Sequence, residues 1–270
     1  MGNLCGYAAT LYLLTLLGVS TAQVRIFNGT IVPVGKLTHV VEIFVYADGN
    51  NRAFECTATI VSEYWLLTSA WCMQYNALEA RISKNNDSKG CYSLVAYEFH
   101  IHPDYDKNTS AHNIGLIRSN VSLISPLAAT PGRLGANYSH QGVDWLLVAG
   151  YGGSEGNFRI LMQTYLQAVS KRNCPYLNDP FVNRTSVNGI CLFRTDSSIS
   201  GCDDGGPAMA KGKDGQWYQV GITNFRKTFS THVLNVATDV NYYCPWIEET
   251  TKGEVKCQAF EPVDIVPDLG

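Results

Sequence analysis

The sequence lacks the features of several common protein classes. After residue 22 it contains no apolar run of the roughly 20 residues that a membrane-spanning helix needs. It has no CxxC pair, which argues against a zinc site built on cysteine thiolates. It has no cluster of Lys and Arg residues, and its net charge is −3. We therefore expect no nucleic-acid partner, no membrane span, no metal and no cofactor.

The first 22 residues predict a signal peptide. A short apolar segment covers Leu11 to Val19, and the small residues Ser20, Thr21 and Ala22 follow it. This segment is shorter than a transmembrane helix, and small residues are what signal peptidase recognises. The sequence therefore predicts a secreted, extracellular protein, with a signal anchor as the alternative.

Cysteines and glycosylation sequons agree with secretion. Cys5 lies in the predicted signal peptide and eight cysteines remain after it, an even number that predicts up to four disulfides. Six Asn-x-Ser/Thr sequons predict N-glycosylation, at Asn28, Asn86, Asn108, Asn120, Asn137 and Asn183.

Short strand-like segments dominate the remaining sequence. They are rich in Val, Ile, Leu and aromatic residues and are separated by turn residues, a pattern typical of an all-β sandwich or barrel. They cover residues 40–46, 58–61, 65–68, 94–101, 113–118, 145–149, 163–169, 217–224 and 232–240. One helix is predicted near Tyr242 to Lys252, followed by an extended tail that Cys257 would tether.

Seven motifs occur in one order along the chain. They read IFNG (Ile26–Gly29), CTATIVSEYWLLTSAWC (Cys56–Cys72), HPDYDKNTSAHNIGLI (His102–Ile117), VAGYG (Val148–Gly152), CDDGGP (Cys202–Pro207), VGITNF (Val220–Phe225) and YYCPWI (Tyr242–Ile247). Together they resemble the chymotrypsin/trypsin family of serine proteases. The resemblance implies an all-β fold of two packed antiparallel six-stranded β-barrels, with the active-site cleft between them and a C-terminal helix. It divides the chain into a signal peptide (1–22), a short activation peptide (23–25), a protease homologue domain (26–250) and a C-terminal tail (251–270).

The resemblance also places the three catalytic side chains of the family, and each position holds another residue. The histidine position holds Trp71, whose indole has no usable lone pair to accept a proton. The aspartate position holds Asn113, whose amide cannot stabilise a cation by charge. The serine position holds Asp204, and a carboxylate attacks an amide poorly without activation. Cys202 replaces the glycine whose N–H faces the oxyanion, and its side chain restricts the backbone.

The specificity pocket departs from the family pattern as well. Its base is Ser198, so no acidic group selects Lys or Arg. The family's SWG wall becomes Asn224, Phe225 and Arg226, and Asn235 replaces another pocket glycine. The resemblance therefore implies a blocked or reshaped primary pocket.

Histidines and aromatic residues outside these motifs have alternative interpretations. His100 and His102 would share one face of a strand and could bind a metal, but HPDY is a loop sequence of the same family, so we expect no metal. His112 precedes Asn113 and would point to the opposite face, which indicates a surface histidine rather than a displaced base. Three aromatic residues either line a ligand groove or pack in the cleft: Trp65, Trp71 and Phe225.

The resemblance extends to disulfides and activation. It implies the pairs Cys56–Cys72 and Cys174–Cys191, and it leaves three pairings, or an intermolecular bond, for Cys91, Cys202, Cys244 and Cys257. Arg25 and Ile26 resemble a zymogen cleavage point, and Asp203 is the position that pairs with the new ammonium group. Cleavage would then order the pocket loops without catalysis. The alternative is an inherited sequence without function.

These observations predict a secreted, catalytically inactive serine protease homologue that acts by binding. Its expected partner is an extracellular protein such as an active protease or a receptor, for which it would be a cofactor, decoy or regulator. By analogy with the family, it could also be a component of a reproductive or digestive secretion. The alternatives are a serine-type hydrolase with a rearranged site and a passive extracellular glycoprotein.

Overall fold

The computed structural model describes residues 26–47, 53–84, 92–140, 144–152, 160–174, 188–229 and 232–269. Within these residues the strands are β1 (Thr30–Ile31), β2 (Val40–Ala47), β3 (Ala53–Ile60), β4 (Trp65–Thr68), β5 (Ala77–Lys84), β6 (Tyr92–Ile101), β7 (Gly115–Ser119), β8 (Arg133–Ala136), β9 (Trp145–Gly150), β10 (Met162–Val169), β11 (Gly189–Phe193), β12 (Pro207–Lys211), β13 (Trp217–Phe229), β14 (His232–Asp239) and β15 (Cys257–Ala259). The helices are α1 (Ile124–Leu127) and α2 (Val240–Thr250), and 3-10 turns cover Ala70–Met73 and Lys171–Asn173. None of these helices is long and apolar enough to cross a bilayer.

The first half of the chain forms a closed antiparallel barrel. Its strands are hydrogen-bonded in the order β2-β3-β4-β7-β6-β5, and β5 returns to β2. Val41, Ile43 and Val45 alternate along β2 and are fully buried, because every second side chain of a strand faces the same side. The barrel interior is therefore filled by the apolar residues of the strands themselves.

The second half forms another closed barrel, which confirms the predicted two-barrel fold. Its strands run in the order β12-β9-β10-β11-β14-β13, and pairing of β12 with β13 closes it. Strands β8 and β15 extend β13 on the outside by parallel pairing. The linker between the barrels, which includes β8, therefore becomes part of the second sheet.

The predicted helix exists, and it begins earlier in the chain than the sequence indicated. Asp239 precedes α2, and its side chain accepts a hydrogen bond from the backbone N–H of Asn241 at 3.1 Å, a typical N-terminal cap. A disulfide between Cys244 and Cys257 then ties α2 to β15. The tail beyond the helix is packed against the second barrel, with the Phe260 ring stacked on Tyr218 at 4.3 Å.

Three disulfides join described residues. Two are the pairs that the resemblance implied, Cys56–Cys72 and Cys174–Cys191. The third, Cys244–Cys257, is one of the pairs that the sequence left open. Cys91 lies outside the described residues.

Some strands have no clear signal in the sequence. Strand β5 reads ALEARISK, in which Ala, Leu, Glu and Lys favour a helix. It is extended because β2 and β6 pair with it on both sides. Strand β12 reads PAMAK and contains no β-branched residue. Tertiary pairing therefore overrides local propensity at both strands.

The packing of the tail can be tested at Phe260. Replacing Phe260 by Ala removes its contacts with Tyr218, and we expect a loss of about 2 kcal/mol in the free energy of unfolding, since the ring is partly buried. Urea denaturation would measure it. The control is Val266→Ala in the same tail, where the side chain is 98% exposed and the stability should stay constant. Equal stability of wild type and Phe260→Ala would show that the tail does not stabilise the barrel.

Candidate active-site cleft

The three positions that the motifs matched to catalytic residues meet at the junction of the barrels. Trp71 lies in the 3-10 turn after β4, and Asn113 lies just before β7, both in the first barrel. The backbone N–H of Trp71 donates to Asn113 Oδ1 at 2.9 Å. Asp204 lies in the loop before β12 of the second barrel, and its carbonyl accepts a hydrogen bond from the Thr57 N–H at 2.9 Å. The fold therefore brings the three residues into one cleft.

Thr57 of β3 joins the barrels by several hydrogen bonds. Besides the bond to Asp204, its hydroxyl donates to the Cys202 carbonyl at 3.2 Å and accepts from the Tyr151 N–H at 3.1 Å. Its own carbonyl accepts from the Thr68 hydroxyl at 2.9 Å. Thr57 is fully buried, so no water competes for these bonds. The position of Asp204 is thus set by a threonine of the opposite barrel.

The Asn113 side chain is hydrogen-bonded to the backbone of the cleft. It is 2% exposed, and its amide oxygen binds the main chain of Trp71. Its carbonyl accepts from the Thr238 hydroxyl at 2.9 Å, and Thr238 accepts from the Asn224 amide at 2.7 Å. This chain of bonds connects the barrels, and it gives Asn113 a positioning role without any charge.

Trp71 belongs to an aromatic surface. Its ring is 37% exposed and meets Phe54 edge-on at 5.7 Å, and Phe54 stacks on Tyr75 at 5.8 Å. We call Phe54, Trp71 and Tyr75 the aromatic rim. Phe54 and Tyr75 were not predicted to belong to the cleft, because the only sequence signal for them is their nearness to Cys56 and Cys72.

Trp65 does not belong to this surface. It is 3% exposed, and its Nε1–H donates to Glu254 at 3.1 Å beneath the C-terminal segment. Of the two alternatives for Trp65, packing is therefore the one that the structure supports. The side chains of Phe225 and Arg226 lie outside the described residues, although their backbones pair with Val236 and Asn235.

Asp204 carries an unusual carboxyl group. Burial, and then the nearby charge of Asp203, raise its pKa well above the ordinary value for aspartate. Asp203 is fully buried, and its Oδ2 accepts from the N–H and hydroxyl of Ser200 at 2.7 and 3.1 Å. Burial of the Asp204 carboxyl and the neighbouring charge of Asp203 both favour the neutral form of Asp204, which can donate a hydrogen bond.

The loop before Asp204 contains a residue in the left-handed backbone conformation. Cys202 has a φ of 69°, a region that favours glycine and strains other residues. The expected restriction by the Cys202 side chain therefore does not prevent this conformation; the residue adopts it with strain. Gly205 has a φ of 86°, and a Cβ there would collide with Thr68 Oγ1 and the Thr57 carbonyl. Two positive-φ residues thus shape the loop.

The pocket positions form a closed set of contacts. Asn235 is fully buried, its Oδ1 accepts from the Ile199 N–H at 2.9 Å and its Nδ2 donates to the Leu192 carbonyl at 3.3 Å. Ser198 and Asn224 are 5% exposed each. The Asn235 carboxamide thus connects the Ile199 N–H with the Leu192 carbonyl, two groups that a glycine could not join.

The N-terminal segment docks against this pocket loop. Ile26 is 2% exposed, and the Phe27 N–H donates to the Ser198 carbonyl at 2.8 Å. Asn28 is exposed and donates to Asp196, which forms a two-point ion pair with Arg194 at 2.6 and 3.0 Å. Arg194 also donates to the Leu269 carbonyl at 3.3 Å. Arg25 lies outside the described residues.

The histidines next to the cleft face α2. His112 stacks on His102 with ring centroids 4.9 Å apart, and its Nδ1 lies 3.1 Å from the Tyr243 hydroxyl. The sequence predicted a surface histidine; His112 is half-buried, and its described contacts are with His102 and Tyr243. His100 instead contacts Glu98 at 3.0 Å. Within the described residues no three potential metal ligands cluster.

Four of the six sequons lie in described residues. Their asparagines are exposed: Asn28, Asn108, Asn120 and Asn137. Asn86 and Asn183 lie outside the described residues. The exposure of Asn28 beside the buried Ile26 means that a glycan there would not oppose burial of Ile26.

Comparisons with known proteins agree with this geometry. A family model described as Trypsin matches residues 32–247. Chymotrypsin-like elastase family member 1 of Homo sapiens is 27% identical over 225 residues, which cover 75% of this chain and 83% of that protein. CLIP domain-containing serine protease C9 of Anopheles gambiae is 23% identical, over 86% of this chain and 69% of that protein. A solved structure titled HL collagenase shares the fold, with a TM-score of 0.68 and 20% identity over 84% of this chain and 99% of that one.

The raised pKa of Asp204 makes a testable prediction. Because the unfolded carboxyl ionises near pH 4 and the folded one resists ionisation, wild-type stability should fall as the pH rises from about 4. Asp204→Asn should remove this fall and stabilise the protein at pH 7 by about 1 kcal/mol or more, measured by urea denaturation at pH 4 to 8.

Asp106→Asn is the matched control with the opposite sign. Hydrogen bonds from Asn108 and Thr109 lower the pKa of Asp106, so this substitution should leave stability unchanged or reduce it at pH 7. Identical pH profiles for wild type and Asp204→Asn would contradict a neutral Asp204.

The closed pocket makes a second prediction. Asn235→Gly would leave the Ile199 N–H without its acceptor, and we expect a loss of about 1–3 kcal/mol in the free energy of unfolding. Wild type should also show no calorimetric binding of benzamidine at millimolar concentration. Asn173→Gly, at an exposed position outside the sequons, is the control for the loss of an asparagine side chain. Tight benzamidine binding by wild type would show that the pocket is open.

Proposed function

Since the chain belongs to the trypsin family of serine proteases, we propose that it is an extracellular member that binds a protein partner without cleaving it. The observation that carries the proposal is the set of groups in the cleft: an indole, a carboxamide and a carboxyl at Trp71, Asn113 and Asp204. Three disulfides and relatives that are serine proteases support an extracellular location.

The chemistry of acyl transfer supports inactivity at each step. A base must take a proton from the nucleophile, and the Trp71 indole cannot accept one. A carboxylate must stabilise the charged base, and Asn113 is neutral and hydrogen-bonded to the backbone. A nucleophile must attack, and burial favours the protonated form of Asp204. In a serine protease, loss of the serine or the histidine alone costs about a millionfold in turnover.

The surfaces around the cleft support binding. The aromatic rim exposes large rigid side chains, with Tyr75 59% and Trp71 37% exposed. Such side chains provide much of the affinity at protein interfaces, because they bury a large area with little loss of conformational entropy. In this proposal the buried carboxamide of Asn235 blocks the primary pocket against a substrate side chain. The proposed partner therefore rests on the rim of the cleft and does not insert a side chain into the pocket.

Assays of turnover and of binding with the purified protein test the two parts of the proposal. We expect no fluorophosphonate labelling and no hydrolysis of casein or peptide esters, with trypsin as the positive control. Turnover that persists through repurification and disappears in Asp204→Ala would establish a rearranged active site.

The binding half needs a matched pair of variants. A partner that co-purifies from the native secretion should bind the Trp71→Ala/Tyr75→Ala variant about tenfold or more weakly, since each ring is a candidate interface anchor. Tyr97→Ala/Tyr242→Ala, which removes two exposed aromatic rings elsewhere, is the control. Equal binding of both variants would place the partner on another surface, and absence of any partner would favour a passive glycoprotein.

A further inference from the structure

A second concavity lies between the barrels, apart from the candidate active-site cleft. Its volume is about 920 Å³, and none of Trp71, Asn113 and Asp204 lines it. It is lined by the segment between β1 and β2, by the linker that enters β8, and by β10, β12 and β13 with the packed C-terminal segment. We call it the interbarrel cleft. Its volume is at the upper end of the range for small-molecule sites, which suits an elongated ligand.

The lining of the interbarrel cleft is basic in a chain that is acidic overall. Four cationic residues line it, each from a different segment: Lys36, Arg133, Lys211 and Lys256. The lining contains one carboxylate, Glu254, which accepts the hydrogen bond from Trp65. The whole chain has a net charge of −3, so this concentration of positive charge runs against the overall balance.

The four cations are not equally engaged by the protein. Lys256 pairs with Glu248 at 3.0 Å, and Arg133 lies close enough to Asp214 to contribute to its lowered pKa. Among the described residues Lys36 and Lys211 form no ion pair, and the Lys211 ammonium lies 4.8 Å from the centre of the Trp217 ring. These two lysines are the charges that remain available to a ligand.

The strand edges beside the cleft argue against a peptide ligand. A peptide that adds to a sheet needs an unpaired edge. Here β8 is paired with β13 on one side and β15 on the other, and β12 is paired with β9 and β13. Among the described strands that line the cleft, only β15 is paired on one side alone, and its three residues are too few to seat a peptide strand. The remaining groups are side chains: flexible ammonium groups, which act as point charges, and the half-buried rings of Tyr165 and Trp217, whose centroids are 6.5 Å apart. This lining suits a polymer with regularly spaced anionic groups and rings that present an apolar C–H face.

We propose that the interbarrel cleft binds a sulfated polysaccharide. Its sulfate groups pair with Lys36 and Lys211 and, in addition, with Arg133 and Lys256. The sugar rings lie against Tyr165 and Trp217. No bond is made or broken, and binding at this site does not depend on the residues of the active-site cleft.

Calorimetry with a heparin hexasaccharide and the full mature chain tests the proposal. We expect Lys36→Gln/Lys211→Gln to bind about tenfold or more weakly than wild type, and the slope of log affinity against log salt to fall by about two, one for each lost ion pair. The control is Lys107→Gln/Arg172→Gln, which removes two exposed cations outside the cleft and should bind like wild type.

Three outcomes would overturn the proposal. They are no binding by wild type at low salt, equal weakening in the two double variants, and tighter binding of polyglutamate of matched charge than of the hexasaccharide. The last result would assign the cleft to an acidic peptide. Thermal melting of each variant verifies folding. Binding of Asp204→Asn at wild-type affinity would separate this site from the active-site cleft.

Discussion

The hydrogen bonds of Thr57 hold the two barrels in register. This one buried residue binds Asp204 and Cys202 through its N–H and hydroxyl and receives bonds from Tyr151 and Thr68. Because every polar group of Thr57 is engaged at the junction, the loop that carries Asp204 has little freedom to move relative to the first barrel. The arrangement of the cleft, whatever its chemistry, depends on this contact.

The backbone contacts at this junction set the shape of the cleft, whereas the side chains at three positions set its reactivity. Main-chain bonds and positive-φ residues such as Gly205 determine where the loop runs, and none of them requires a particular side chain at position 71, 113 or 204. The side chains now at these positions still bond within this frame, as Asn113 does with the Trp71 backbone. Our proposal of a binding protein follows from this separation, since a stable cleft with exposed aromatic rings remains useful without turnover.

The sequence allowed prediction of the fold and of the positions that meet in the cleft. Motifs around the cysteines and glycines are local in the chain and diagnostic in order, so they located the barrels and Asp204. Strand β5 escaped prediction because pairing with β2 and β6, and not its helix-favouring composition, makes it extended. The burial of Trp65 and the stacking of His112 on His102 could not be predicted either, because both depend on the C-terminal segment, which is distant in sequence.

The ion pair between Arg194 and Asp196 connects the two ends of the described chain. Asp196 holds Asn28 near the first described residue, and Arg194 holds Leu269, the last one. Probes attached near Asn28 and Leu269 would therefore lie close together. Paired labels at these two positions would report by energy transfer whether the ion pair holds them together, and a permuted chain that begins at Ile26 could be joined to Leu269 by a short loop.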